Sequence, residues 1–343
     1  MKLFTSLINT IKEHFRLKLI ICFILCAILP LLILGTISYK ISYNIAKDKI
    51  LKETAISCEK NQHLLENRMT QIENLEDSIH FNLCMLCTTA EQPMSNYLDK
   101  LSAVRNNIAS IADSFNIYHV NIFLPDDSFA SKEGLTFCSL SDLKKYKVQL
   151  SDFSKQGLTP NWIFRKDINF PYMVSKGEEP SGVLSCYRYA KINSQKTCLA
   201  VHITSEELSN YLNTFSEGNP SLSYIINSEG VVLSSTDKKQ IGGSLSNEKL
   251  HAITQNLRLS HFSYDKCEII STPLHNQLFL VTETPDYYIR QSSSFLVKMI
   301  FICFMIIVPL TMLSIIWVAD QMTNKINHLS HSMSEIKMDD VID

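Results

Sequence analysis

The sequence has 343 residues, of which 32 are Lys or Arg and 34 are Asp or Glu, so its formal net charge is −2 at pH 7. This near-neutral balance excludes a protein that binds nucleic acid through a strongly basic surface. A chain of this length usually holds about two or three domains, and the positions of its apolar residues must indicate where they lie.

Two long apolar runs, residues 17–37 and 295–319, lie near the ends of the chain. A helix of about 20 apolar residues crosses the roughly 30 Å hydrocarbon core of a bilayer. The first run is longer than the core of a signal peptide, which has about 7 to 15 residues, and no convincing cleavage site follows it. We therefore predict two transmembrane helices in contact with membrane lipid.

The segment between the runs, residues 38–294, contains strand and turn patterns and is expected to fold outside the cytoplasm. Lysines lie on both sides of the first run and do not orient it, but a long loop is translocated largely irrespective of its charge. We predict that residues 1–16 and 320–343 are cytoplasmic in a two-span protein of the cell membrane.

Two amphipathic helices are predicted after the first span. In the first helix an apolar residue recurs every seven positions, at Leu65, Ile72, Ile79 and Leu86. This stripe either pairs with a second copy of the chain or packs on the domain's own sheet. Pro93 interrupts the pattern, and a second stripe follows at residues 101–115.

Strand patterns then define a first lobe, at about residues 88–204. One strand covers residues 117–125, another starts near Asn161, and residues 182–192 and 196–203 alternate with period two and are predicted to pair as a hairpin. Thr204 and Glu207 have the spacing of a capping box at the start of a short helix.

A second lobe is predicted at about residues 220–284. Its strands are expected at residues 221–226, 231–234, 261–274 and 277–284, and a short helix is expected after Ser246. Thr284 and Pro285 have the chemistry of the N-cap and first residue of a helix that continues into the second span.

The stretch YIINSEGVVLSSTDKKQIGGSL, residues 224–245, resembles the extracytoplasmic Cache repeat, in which two apolar strands flank an Asn-x-x-Gly turn. QLFLVTETP, residues 277–285, is similar to the closing strand of that fold. With TCLAVHITSEELSNYL and the first span, the whole chain resembles the sensor half of YesM-like histidine kinases of Gram-positive bacteria.

This resemblance implies an α+β fold in which two PAS-like antiparallel-sheet lobes, a double Cache domain, lie on a long N-terminal helix between two transmembrane helices. It also implies a homodimer and a small extracellular ligand bound in the membrane-distal lobe. The partner of a full-length kinase would be a cytoplasmic response regulator.

A heptad seam follows the second span, formed by Ile326, Leu329, Met333 and Ile336. MTNKINHLSHSMSEI resembles the first helix of a HAMP linker, which passes movement of a membrane helix to a parallel coiled coil. Lys325 stands where that helix usually has Pro, and an amphipathic juxtamembrane helix is the alternative.

No catalytic residues are predicted. His328 and His331 lack the sequence context of a phospho-acceptor, and the chain contains neither a glycine-rich ATP lid nor a Gly-x-Ser-x-Gly motif. We expect the sensor part of a histidine kinase, with the enzymatic part not included. The alternatives are the sensor of a membrane-bound AraC-type transcription factor and a stand-alone accessory binding protein.

The cysteines predict neither a disulfide framework nor a metal site. Seven lie within residues 38–294 at irregular spacing. Cys84 and Cys87 have a metal or redox spacing, but no second pair accompanies them, so two ordinary helix residues are the preferred interpretation. We therefore expect no metal and no cofactor.

A ligand site is predicted on the hairpin, where Arg188 shares the apolar face of its strand with Cys186 and Ala190. A buried guanidinium needs an anionic or carbonyl partner. That partner is either an internal carboxylate, such as Asp167 or Glu178, or a small ligand. In the second case an aromatic wall is expected from three residues, Trp162, Tyr172 and Tyr187.

Overall fold

The computed structural model describes residues 15–87, 94–146, 161–166, 180–192, 195–212, 220–255 and 259–339. The chain divides into two compact units. One unit consists of Met1–Ile50 and Tyr287–Asp343, and the other of Leu51–Asp286.

Five α-helices lie in the described residues. They are α1 (Phe15–Cys87), α2 (Met94–Ser114), α3 (Ser205–Asn210), α4 (Asn247–Thr254) and α5 (Asp286–Asp339). Pro30 and Pro309 lie inside α1 and α5, where a membrane helix tolerates proline if other groups satisfy the freed carbonyls.

The first sheet has five strands in the order β2-β1-β5-β4-β3. They are β1 (His119–Leu124), β2 (Phe137–Ser139), β3 (Asn161–Arg165), β4 (Val183–Ile192) and β5 (Gln195–Thr204). The predicted hairpin is confirmed, because β4 and β5 pair in register from Val183 with Thr204 to Ile192 with Gln195. The edge strand β2 pairs with β1 in parallel, so this sheet is antiparallel except at one edge.

The second sheet also has five strands, in the order β7-β6-β10-β9-β8, and all its pairs are antiparallel. They are β6 (Leu222–Ile226), β7 (Val232–Ser235), β8 (Ser260–Tyr264), β9 (Cys267–Pro273) and β10 (Phe279–Pro285). Between β6 and β7, Asn227 accepts hydrogen bonds from the backbone of Glu229 and Val231. Gly230 has the positive φ of 82° that this turn requires.

The heptad stripe of α1 packs on the protein's own sheets. Leu65, Ile72 and Ile79 are at most 1% exposed and belong to one core with Ile203 of β5 and Leu280 of β10. The expectation that this stripe stays partly exposed to pair with a second copy is therefore wrong for these three residues. Burying them joins α1 to both sheets, because each removes a large aliphatic side chain from water.

The predicted caps are correct in part. Thr204 is the N-cap of α3 and accepts a hydrogen bond from the backbone of Glu207, but the Glu207 carboxylate binds Arg68 instead of closing the capping box. Ser246 precedes α4 without a side-chain cap bond. The helix start predicted at Thr284 and Pro285 is wrong by one residue. Both residues belong to the end of β10, and α5 begins at Asp286.

Among the described residues one stretch, Lys298–Met322 of α5, is long and apolar enough to cross a membrane, with a mean hydropathy of 2.8. The side chains of residues 15–25 lie outside the description, so the first span stays a prediction. Within the same unit, a Cβ added to Gly35 would lie 2.9 Å from the ring of Phe304. A glycine at this position therefore allows α1 and α5 to approach closely.

Candidate ligand-binding site

The two faces of the first sheet differ in chemistry. Along β4, alternate side chains point to opposite faces, and Cys186 belongs to the core shared with α1 whereas Tyr187 belongs to a separate cluster with Phe123 and Leu143. We call the first the helix-side face and the second the outer face. Arg188 lies on the helix-side face, as its spacing from Cys186 predicts.

On the helix-side face, Arg188 meets carboxylates of α1. Its Nη1 donates a hydrogen bond to Asp77, and its Nε lies 3.9 Å from an oxygen of Glu76. Trp162 of β3 points to the same helix, where its indole Nε1 donates to Glu73 at 3.0 Å. Asp77 of α1 is therefore an internal anionic partner of Arg188.

Burial controls the protonation of the central carboxyl in this group. Glu76 is 0% exposed, and burial raises its pKa from 4.5 to about 8, although the charge of Arg188 opposes the shift. Desolvation disfavours the charged form of a carboxyl group, so Glu76 is mainly protonated at neutral pH.

The outer face carries a chain of polar side chains across three strands. Ser185 Oγ donates to Nδ1 of His202 at 2.7 Å, and Nε2 of His202 donates to Oδ1 of Asn121 at 2.9 Å. Asn121 Nδ2 in turn donates to the carbonyl oxygen of Leu135 at 2.7 Å. The chain is buried, and its fully paired members fix one another's orientation.

Both histidines of this face are neutral. Burial lowers the pKa of His202 well below 6.5, and the nearby His119 lowers it further. Burial also lowers the pKa of His119, against the opposing effect of the Leu135 carbonyl. The two rings stack with centroids 6.3 Å apart. The polar chain of this face is therefore uncharged.

A cation lies at the edge of the outer face. The β3–β4 register pairs Arg165 with Val183 and Ile163 with Ser185, which places Arg165 diagonal to Ser185 on the face opposite Trp162. Its buried Nε has no hydrogen-bond partner among the described residues. Long side chains reach diagonal neighbours across a sheet, so Arg165 can contact a molecule held over the outer face.

Aromatic groups flank the same surface. Tyr187 is buried, and its ring meets that of His202 edge-on with centroids 6.0 Å apart. Tyr189 lies half-buried on the same face, packed with Tyr187 and Leu143. The thiol of Cys198, also on this face, has a pKa raised by burial and is held protonated rather than nucleophilic.

The structure brings together some of the predicted site residues and separates others. Trp162 and Arg188 share the helix-side face, whereas Tyr187 lies on the opposite face, so these residues do not form one aromatic wall around Arg188. The other proposed members, Tyr172, Asp167 and Glu178, lie outside the described residues. The binding role of the predicted set stays a prediction.

Sequence reasoning missed three groups, Arg165, His202 and Asn121. The period-two rule that places Arg188 on the face of Cys186 also places Arg165 on the face opposite that of Trp162, so the position of Arg165 could have been predicted from the sequence. The contact of His202 with Asn121 spans 81 residues of sequence, and spacing does not reveal it.

The described residues contain no group of three or more His, Cys, Asp or Glu side chains placed to hold a metal. Cys84 Sγ lies 3.8 Å from Nε2 of His80 on the same helix, and the side chain of Cys87 is outside the description. The side chains of the predicted seam at Ile326, Leu329, Met333 and Ile336 are also outside it, although their backbone lies in α5.

No protein-family model matches the sequence, and no curated protein matches it. The periplasmic sensory domain of the Campylobacter jejuni chemoreceptor Tlp1 is similar in structure, with a TM-score of 0.52 and 14% identity over 70% of this chain and 98% of that chain. The extracellular domain of vpHK1S-Z8, a protein assigned as a histidine kinase, gives a TM-score of 0.53 and 14% identity over 72% and 98% of the two chains. The long helix and the two sheets therefore form the α+β fold of Cache/PAS-like sensory domains.

Proposed function

We propose that this protein is a membrane-anchored sensor that binds a small extracellular ligand on the outer face of its first sheet and passes the signal to a cytoplasmic output. The fold of sensory domains supports this function class. The apolar stretch Lys298–Met322 supports a membrane anchor.

One observation carries the choice of site. The outer face of the first sheet has a buried polar chain across three strands through Ser185, His202 and Asn121. The corresponding face of the second sheet packs an apolar cluster around Ile253, and its polar side chains bind in separate, smaller groups such as Tyr224 with Glu283. Ligand sites combine apolar and aromatic walls with a few well-placed polar groups. The first sheet offers both, with Tyr187 and Tyr189 beside the polar chain.

The cation at this face indicates the ligand class. Arg188 already has an anionic partner in Asp77 on the helix-side face, whereas Arg165 lies on the outer face and its buried Nε has no hydrogen-bond partner among the described residues. A guanidinium is suited to bidentate binding of a carboxylate. The ligand class that fits best is a small carboxylate whose other end contacts the tyrosines.

The proposed topology places residues 38–294 outside the cell, spans at 17–37 and 295–319, and both termini in the cytoplasm. A cysteine-reactive reagent that cannot cross membranes tests it in intact cells. It should label a Glu229→Cys variant above the wild-type background but not a Ser334→Cys variant. The reverse pattern would contradict the orientation.

The proposed output is a histidine kinase of the YesM-like type acting on a response regulator, reached through a HAMP-like seam in a homodimer. Glu229 and the strands around it carry the Cache resemblance, and the seam residues lie on the helix that contains the apolar stretch. Disulfide crosslinking through Leu329→Cys tests parallel pairing. The sequence encoded after Asp343 separates a kinase from an AraC-type regulator or an accessory protein.

A thermal-unfolding screen of the full chain in detergent tests the sensor function. A ligand at about 100 times its Kd stabilises the folded state by about 2.7 kcal/mol, which corresponds to a rise in Tm of roughly 5 to 10 °C for a domain of this size. Small carboxylates should produce this shift, and the matched amides and neutral sugars should not. A shift with sugars alone would contradict the proposed ligand class.

A further inference from the structure

A carboxyl group lies buried between α1 and the first sheet without the contacts that an ion requires. Glu76 is 0% exposed, on the stripe of α1 that also buries Ile72 and Ile79. Neither carboxyl oxygen has a hydrogen-bond partner at normal distance among the described residues, and the nearby thiol of Cys186 is only a weak donor. Burying an ionised carboxylate without such partners is strongly unfavourable, so this position favours a bound proton.

The nearest cation does not fully compensate Glu76. The Nε of Arg188 lies 3.9 Å from Glu76, beyond hydrogen-bond distance, and has no hydrogen-bond partner among the described residues. The other end of the guanidinium binds Asp77, whose side chain is 66% exposed. A small shift of α1 along β4 would bring an ionised Glu76 within hydrogen-bond distance of Nε.

We infer that Glu76 is a proton-binding site through which the protein responds to pH, because its protonation sets how α1 packs on the first sheet. With a proton from the surrounding solution, Glu76 is a neutral side chain in the core and Arg188 stays with Asp77. After that proton returns to solution, the carboxylate attracts Nε of Arg188 and draws α1 towards β4.

The preceding turn of α1, at Glu73, connects this site to both lobes. Oε1 of Glu73 accepts hydrogen bonds from Nε1 of Trp162, at 3.0 Å, and from Nδ2 of Asn276, at 3.4 Å. Trp162 belongs to the first sheet, and Asn276 lies between β9 and β10 of the second. A shift of α1 at Glu76 therefore reaches β3 and the second lobe together, which makes pH an input separate from the ligand.

The titratable groups that face Glu76 come from two elements. They are Glu73 and Asp77 on α1, and Arg188 and Cys186 on β4. Burial raises the pKa of the Cys186 thiol, so this thiol does not change its charge before Glu76 does.

The sign of the pH dependence follows from the raised pKa. The folded-state value for Glu76 is about 8, against 4.5 for a free carboxyl. The folded state therefore holds a proton that the unfolded chain releases, and stability from this group is complete below pH 4.5 and is lost as pH rises to about 8.

Fluorescence of Trp162 tests the inference in the full chain. The sequence contains two tryptophans, so Trp317→Phe leaves Trp162, whose indole binds the turn next to Glu76, as the single reporter. Its emission should titrate with a midpoint near pH 8. Glu76→Gln, which mimics the protonated group, should abolish this transition.

Two further variants make the test independent of how Glu76→Gln folds. Asp77→Asn should lower the midpoint, because it removes a neighbouring negative charge and leaves Arg188 to Glu76, whereas Arg188→Gln should raise it. The inference is overturned if Trp162 emission does not titrate in the Trp317→Phe protein, if the transition persists in Glu76→Gln, or if Asp77→Asn leaves the midpoint unchanged or raises it.

Discussion

The two sheets share one architecture but fill their outer faces differently. The outer face of the second sheet is covered by Ile253 of α4, which packs with Ile226, Ile269 and Val281 in an apolar cluster. The outer face of the first sheet instead carries the polar chain through Ser185, His202 and Asn121. The second sheet also has polar pairs on its outer face, such as Ser260 with Ser271, but no polar chain across three strands among the described residues, and this difference is the basis of the proposed site.

Polar groups of the second sheet lie around its apolar cluster and bind one another. The hydroxyl of Tyr224 donates to Glu283, and Nζ of Lys249 lies 2.5 Å from the same carboxylate. These contacts stabilise the cluster from its edge. The second lobe thus packs on α1 and leads into α5, whereas the proposed ligand site lies on the first lobe.

The largest expected loss of stability comes from truncating the buried side chain at the centre of the apolar cluster of the second lobe. Ile253 is 0% exposed, and Ile253→Ala should lower the free energy of unfolding by about 3 kcal/mol, because it leaves a cavity under α4. Chemical denaturation monitored by circular dichroism measures this. The rise in Tm caused by ligand should persist, and its loss would mean that the second lobe binds the ligand.

A smaller loss of stability is expected in the polar chain of the first lobe. His202→Leu removes the imidazole that binds both Ser185 and Asn121, and it leaves their buried polar groups without this partner, at a cost of about 2 kcal/mol. Thermal unfolding of this variant with and without ligand should also show a smaller ligand-induced rise in Tm than in the wild type. A variant as stable as the wild type would show that the chain does not order this face.

The smallest effect is expected from Tyr224→Phe, which keeps the ring and deletes one hydrogen bond to Glu283. Because Lys249 still binds this carboxylate, the expected loss of unfolding free energy is about 1 kcal/mol, with no change in ligand response. It serves as the matched control for His202→Leu. A loss of ligand response in Tyr224→Phe would remove the distinction between the lobes.

The order of helices and strands could be predicted from the sequence because it depends on local patterns. Alternation along β4 correctly placed Arg188 on the face of Cys186, although the predicted aromatic wall wrongly joined Tyr187 to it, and the Asn227–Gly230 turn followed from its residue types. The site could not be predicted to the same depth. Asp77 precedes Arg188 by 111 residues, and only the packing of α1 on the sheet brings them together.

The helix start at Thr284 shows how tertiary contacts override a local signal. Thr284 and Pro285 resemble a helix cap in sequence, but Thr284 is buried and its hydroxyl binds that of Ser221 across the sheet. Backbone pairing extends β10 to Pro285, which lies opposite Cys267. The helix therefore begins one residue later than its sequence signal.

The most direct measurement compares two arginines on opposite faces of the first sheet. Thermal unfolding of the full chain, with and without the carboxylate that stabilises the wild type most, is measured for Arg165→Ala and Arg188→Ala. The expected result is that Arg165→Ala keeps its Tm without ligand and loses the rise of roughly 5 to 10 °C, whereas Arg188→Ala has a lower Tm but still shows the rise. Loss of the rise in Arg188→Ala alone, with Arg165→Ala responding normally, would contradict a ligand site on the outer face.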